Sequence, residues 1–224
     1  MDGSPVQLSD VAQRVLGALI EKEMATPQSY PLSLNALTAA ANQTTNRDPV
    51  TDHNEQDIRE GVKELSGKAL VTAVYARRSS TPKYAHHLGS YLEIDQPAVA
   101  VLAVLLLRGP QTIGELRQRC ERLHPFAELD QVHDALQGLV GHVFGPLCQE
   151  LPRQPGRKET RWRHLLGGES PAAEVAEAVT EGVPATERPH PVDDLRDEVV
   201  RLREQVTWLA AEVKRLSHFV GGDR

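Results

Sequence analysis

DQPAVAVLAVLLLRGPQTIGELRQRC, residues 95–120, decides how this chain is read. Asp95 and Pro97 suit the start of a helix, Val99 to Leu107 are apolar without a break, and Gly109 stops the run. Just beyond the glycine, Thr112 and Glu115 stand at the spacing of a capping box, which starts a second helix. Leu129, Val132, Leu136 and Leu139 mark a third. Two strands follow near Leu147–Leu151 and Glu159–Leu165, joined by a turn at Gln154, Pro155 and Gly156. A helix-turn-helix whose third helix is backed by a β-hairpin is a winged helix.

The same order precedes it with little sequence identity. Ser9 is a candidate N-cap ahead of a stripe of Val11, Val15, Ala18 and Leu19, which predicts a first helix to about Met24. Ser33 precedes a short second helix with Leu34, Leu37 and Ala41, and Asn54 precedes a third with Ile58, Val62 and Leu65. That last spacing returns in Val132, Leu136 and Leu139. Leu70–Tyr75 and Lys83–His87 read as strands around the turn-forming segment Arg78–Pro82. The expected fold is mainly α with small β-hairpins: two tandem winged-helix domains, residues 1–89 and 90–167.

From Gly167 the composition shifts to Glu, Ala, Pro, Gly and Thr. Residues 168–191 read as a flexible acidic linker, unable to bury enough apolar area to offset its conformational entropy. As a random coil it spans about 25 to 30 Å. Pro191, Asp193 and Asp194 suit the start of a last helix, residues 192–220. There Val192, Val199, Val206, Val213 and Val220 recur every seventh position, with Leu195, Leu202, Leu209 and Leu216 between them. β-Branched residues at a and leucine at d favour a parallel two-stranded coiled coil, so self-pairing is expected. Glu198 at g faces Arg203 at e of a partner, a pair worth about 0.2 to 1 kcal/mol that sets register more than stability. The alternative is one amphipathic helix folded back on its own body, and Trp208 and Phe219 beside the seam are large enough to touch something else.

Composition sets the outer limits. The longest apolar stretch, Ala98–Leu107, is about half a membrane span, and the first ten residues lack a basic region leading into an apolar core. A cytoplasmic protein with no membrane partner is expected. Cys120 and Cys148 have no CxxC or nearby His and read as reduced thiols. Residues 1–168 hold 18 Lys or Arg against 19 Asp or Glu and residues 169–224 hold 7 against 12, so the net charge of −6 comes mostly from the tail. A near-neutral body offers nucleic acid only local basic faces.

Five stretches carry a resemblance: TPQSYPLSLNAL (26–37), ANQTTNRDPV (41–50), LLLRGPQTIGELRQR (105–119), RLHPF (122–126) and PGRKETRWRHLL (155–166). In this order they resemble the YceH-like family of uncharacterised bacterial proteins, over roughly residues 8–167. The resemblance implies tandem winged-helix domains in a cytoplasmic bacterial protein and implies no activity.

Winged helices commonly lay the third helix in the DNA major groove and touch the backbone with the wing. The first third helix carries Glu55, Asp57, Glu60 and Glu64 beside Arg59 and Lys63. The second carries Glu128, Asp130, Gln131, His133, Asp134 and Gln137 with no Lys or Arg, a face phosphates repel. The second wing differs: Arg153, Arg157, Lys158, Arg161 and Arg163 surround one acid, Glu159. Strand alternation puts Arg161 and Arg163 on one face with Trp162 on the other, a basic edge for phosphate or simply a solvated wing tip. Asn42, Gln43, Asn46 and Arg47, in a polar loop with Thr44 and Thr45, are the other candidates. Asn and Gln read adenine edges, and the same residues also cap turns. Tyr30 is expected to pack where the first two helices join.

No phosphate-cradling glycine loop, GxSxG or HExxH is present, and His86 and His87 point to opposite faces of a strand. No enzyme activity, metal or cofactor is expected. Two readings stay open: a dimeric DNA-binding regulator, toward which the fold class tips the balance, and a protein-interaction scaffold resembling tandem winged-helix accessory subunits of chromosome-organising complexes.

Overall fold

A computed structural model describes residues 6–76, 80–154, 156 and 159–167. Ser9, with extended backbone, accepts the Ala12 N–H on its hydroxyl and so starts α1, Asp10–Ala25. A 3₁₀ turn at Pro27–Ser29 leads into β1, Leu32–Ser33, and then α2, Leu34–Ala41, capped by Ser33. Asn54 caps α3, Glu55–Gly67, and Asp57 reaches back to the Asn54 N–H, completing a capping box. β2, Val71–Val74, and β3, Lys83–His86, form an antiparallel hairpin with Thr72 opposite Ala85. β1 adds to the free edge of β3, with Leu32 opposite Tyr84.

A short helix, α4, Leu88–Leu92, then ends at Glu93 in the left-handed region, φ 54°. The sequence pattern does not announce it, because five residues are too few to display a period. The expected boundary between residues 89 and 90 falls within it.

α5, Gln96–Arg108, is capped by Asp95 and stopped by Gly109 at φ 66°. All ten residues from Ala98 to Leu107 are buried, as expected of a helix that is apolar on every side. α6, Ile113–Cys120, carries the predicted Thr112–Glu115 capping box, and α7, Leu129–Val140, buries Val132, Leu136 and Leu139. β4, Cys148–Leu151, and β5, Arg161–His164, pair antiparallel with Glu150 opposite Trp162. Gln111 pairs with Trp162 as Leu32 pairs with Tyr84: its N–H donates to Trp162 O at 3.0 Å, and the Trp162 N–H donates back at 2.7 Å. In each half, the segment between the first two helices thus extends the hairpin.

One apolar cluster runs from Leu8 to Leu166 and takes residues from both halves. The halves meet where α1 crosses α5. Gly17 makes that approach possible, since a Cβ there would stand 2.9 Å from Leu107 Cγ. The two ends of this body also meet: the Leu8 N–H donates to Leu166 O at 2.9 Å, and Leu8 pairs in parallel with Gly167. The expected linker, 168–191, and the heptad residues, 192–220, lie outside the described residues. Among the described residues no helix is long and apolar enough to cross a membrane.

Candidate functional site

The polar loop between α2 and α3 is held from within. Asn42 Nδ2 donates to His53 O at 2.7 Å, while its Oδ1 accepts the His53 N–H at 2.9 Å. Arg47 lies beneath, 5% exposed. Its Nη2 donates to Glu21 Oε2 and to Ala40 O, both at 2.7 Å, and to Gln43 Oε1 at 3.1 Å. Nη1 donates to Asn46 O at 2.9 Å and Glu21 Oε1 at 3.2 Å, and Nε donates to Ala40 O at 3.2 Å. A buried guanidinium is stable only when paired and hydrogen-bonded, and this one is both. Expected at a nucleic-acid surface, Arg47 is instead a buried fastener whose donors point inward. Asn42 and Gln43 serve the same loop. Asn46 is exposed at φ 60° and accepts from Arg108 Nη2 on its side-chain oxygen.

This loop is also tied to the second half. The Asp48 N–H donates to Leu107 O at 2.9 Å. Arg14, 6% exposed, donates to Pro49 O at 2.6 Å and Leu107 O at 3.2 Å. Burial, and then the nearby Arg47 charge, hold the Arg14 guanidinium below its ordinary pKa, with Asp48 opposing. The connection between α6 and α7 has its own arginine: Arg117 donates to Phe126 O at 3.2 Å and Ala127 O at 2.6 Å, but from an exposed position.

On the second wing, Trp162 is buried at 3% exposure and its neighbours Arg161 and Arg163 are half-buried, which is the expected alternation. Arg161 donates to Pro110 O at 2.8 Å and to Glu115 Oε1 at 3.3 Å, clamping β5 to the start of α6. Arg163 lies against the Gln149 amide, whose oxygen accepts from Nε at 3.2 Å and Nη2 at 3.1 Å. Arg153 is exposed, and Arg157 and Lys158 lie outside the described residues. The structure therefore places Arg161 and Arg163 on one edge, with Arg161 already clamped.

On the outward face of α3, Arg59 pairs with Glu55 at 2.7 Å, and the Gln56 amide donates to Glu60 Oε1 at 3.0 Å. On α7, Asp130, Gln131, His133, Asp134 and Gln137 are exposed. Exposed apolar residues flank that face: Leu129 and Val140 on the helix, Val143 at 82% and Phe144 at 45% just after it. Sequence reasoning missed this apolar fringe, because no periodicity extends into the loop.

Other reactive side chains have structural settings. Burial pushes the thiols of Cys120 and Cys148 up to about 12, so neither is a ready nucleophile. Tyr30 accepts the His86 N–H on its hydroxyl at 2.6 Å, joining the turn after α1 to β3. His86 is buried and His87 exposed, the opposite facing expected of strand neighbours. Among the described residues, no group of three or more His, Cys, Asp or Glu is placed to hold a metal ion.

Two helix trios, each backed by a small antiparallel sheet, define a mixed α+β protein. Residues 8–157 match the family described as "Protein of unknown function, DUF480". A UPF0502 protein of Geobacter sulfurreducens is 46% identical over 213 residues, covering 94% of this chain and 90% of its own length. Another, from Burkholderia orbicola, is 40% identical over 217 residues, with 97% and 91% covered, and one from Opitutus terrae is 44% identical over 199 residues, with 88% and 83% covered. The chain therefore belongs to the DUF480 family of bacterial UPF0502 proteins, in agreement with the resemblance its motifs carry.

Proposed function

We propose that the chain is a tandem winged-helix protein of the bacterial cytoplasm, paired through its C-terminal heptads, that works as a protein-interaction scaffold. The observation that carries this reading is the α7 face, which is acidic, lacks Lys and Arg, and is fringed by exposed Leu129, Val140, Val143 and Phe144. A helix meant for the major groove commonly uses Arg or Lys for guanine and for phosphate, and this one has neither residue. Exposed apolar residues beside a polar face suit a protein partner with basic and apolar groups. A photo-cross-linker at Gln137 should yield protein adducts in cells, lost on Val143→Glu with Phe144→Glu. Adducts to DNA, or none, would defeat the scaffold.

A second reading, a dimeric DNA-binding regulator, is favoured by Arg153, Arg161 and Arg163 on one wing. Such a contact gives affinity without sequence choice. It predicts a salt-dependent shift of duplex DNA that Arg153→Gln with Arg163→Gln weakens; no shift at low salt would remove it. Self-pairing is tested separately by sedimentation: the parent should be a dimer, and Leu202→Lys with Leu209→Lys a monomer.

A further inference from the structure

α1, α5 and α6 all end around one cleft of about 520 Å³, walled on its remaining side by the polar loop. Among the described residues, four cations line it: Lys22, Arg108, Arg119 and Arg122. Their neutralisation is poor. Glu21 also lines the cleft but is chelated from beneath by Arg47, at 2.7 and 3.2 Å, and leaves Lys22 only a 3.7 Å contact. Arg119 has a 3.7 Å contact with Glu115, whose Oε1 is shared with Arg161 at 3.3 Å and whose Oε2 takes the Thr112 N–H. Arg108 donates to an uncharged amide, that of Asn46. Arg122 is exposed, with no hydrogen-bond or ion-pair partner among the described residues.

Cations at helix C-termini have an ordinary explanation, because each such end carries roughly half a negative charge. Three ends supply about one and a half charges, and Glu121 adds one more. Four cations exceed that total, and Arg122 stands beyond the last turn of α6. Crowding is felt at Arg108, whose guanidinium is held below its ordinary pKa by burial, then by Arg119 and Arg47, with Asp48 and Glu21 opposing. Uncharged donors also face the space: Thr45 and the amides of Gln43 and Gln118. Val104 and Leu107, 4% and 3% exposed, supply an apolar floor. Four of the five stretches that carry the family resemblance contribute lining residues.

We propose that this cleft binds a small phosphate-class anion, with Arg108, Arg119 and Arg122 as its ion-pairing residues. The volume lies in the range of small-molecule sites and exceeds what phosphate alone fills, so the anion is either a polyphosphate or the phosphate of an organic ester whose remainder lies on the apolar floor. The inference does not depend on which macromolecule α7 contacts.

The test is titration of the full chain with inorganic phosphate, pyrophosphate and adenosine monophosphate at constant ionic strength, by calorimetry and by NMR shifts of Asn46, Arg108 and Gln118. Saturable binding with shifts at these residues is expected. Arg119→Gln and Arg122→Gln should each weaken it about tenfold, as loss of a charge-assisted hydrogen bond does. Glu121→Gln should tighten it a few-fold, and Arg59→Gln, a charge change on α3, should leave it unchanged. Tighter binding of adenosine monophosphate than of pyrophosphate assigns an organic ester; the reverse order assigns a polyphosphate. No saturable shift up to about 10 mM of any probe overturns the site. So does equal affinity in Arg119→Gln, Arg122→Gln and Arg59→Gln, or displacement of the probe by a short DNA duplex at lower phosphate concentration. Glu121→Gln keeps the test decisive should an arginine variant fail to fold.

Discussion

The connection between α2 and α3 and the connection between α6 and α7 each hang on one arginine, but the two arginines live in different surroundings. Arg47 is buried, ion-paired to Glu21 and bonded to the carbonyls of Ala40 and Asn46. Arg117 holds the carbonyls of Phe126 and Ala127 from the surface, with no carboxylate partner among the described residues. The difference follows from place. The first loop is pressed against the C-terminal end of α5, where Asp48 and Arg14 bind Leu107 O, so its polar groups must be satisfied inside the protein. An equivalent role in the chain is thus filled by a buried network at the joint and by a solvated clamp away from it.

The largest effect expected from breaking this contrast is at Arg47. Arg47→Met leaves Glu21 and the loop carbonyls without their donors and should cost about 3–5 kcal/mol in denaturant unfolding. Arg47→Met combined with Glu21→Gln should recover part of it. Next comes the joint itself: Gly17→Val forces side-chain atoms into Leu106 and Leu107 and should cost about 1–3 kcal/mol. Arg117→Met, exchanging bonds that water can replace, should cost about 1 kcal/mol. Equal losses for Arg47→Met and Arg117→Met would erase the distinction between the two connections.

A further effect depends on pH and concerns the last residues of the two hairpins, His86 and His164. Glu23 Oε2 lies 2.6 Å from His86 Nε2, and that contact holds the Glu23 carboxyl below its usual range, against burial. At the matching place, burial and then the Arg163 charge push His164 down to about 4, from an ordinary value of 6.5. The unfolded chain therefore takes up a proton there that the folded chain refuses. Stability present above about pH 6.5 is lost as pH falls toward 4. Melting curves across that range should flatten with His164→Gln and keep their slope with Glu23→Gln, whose own contribution is lost only at lower pH.

Helices and hairpins were legible because their signals are local. Ser9, Ser33, Asn54, Asp95 and Thr112 all cap where their side chains predict, and the spacing of Ile58, Val62 and Leu65 marks the buried side of α3. Three short elements were not legible: β1, the Gln111 bridge and α4 carry too few residues to show alternation or period of their own. The burial of Arg14 and Arg47 was hidden for another reason. Whether a charged side chain faces water depends on which carbonyls and carboxylates a distant segment brings to it, and Arg14 meets Leu107 O while Arg47 meets the Glu21 carboxylate, each far away in sequence. The cation cleft escaped for the same reason, since its arginines come from the ends of different helices.

Leu8 and Gly167 lie side by side. The body's entry and exit therefore share one edge, and a few residues joining them would close the chain into a ring without disturbing a core helix. Such a ring can be reopened at an exposed loop to give a circular permutant with the same core. A cargo fused before residue 8 and one fused after residue 167 would leave from the same side, as neighbours.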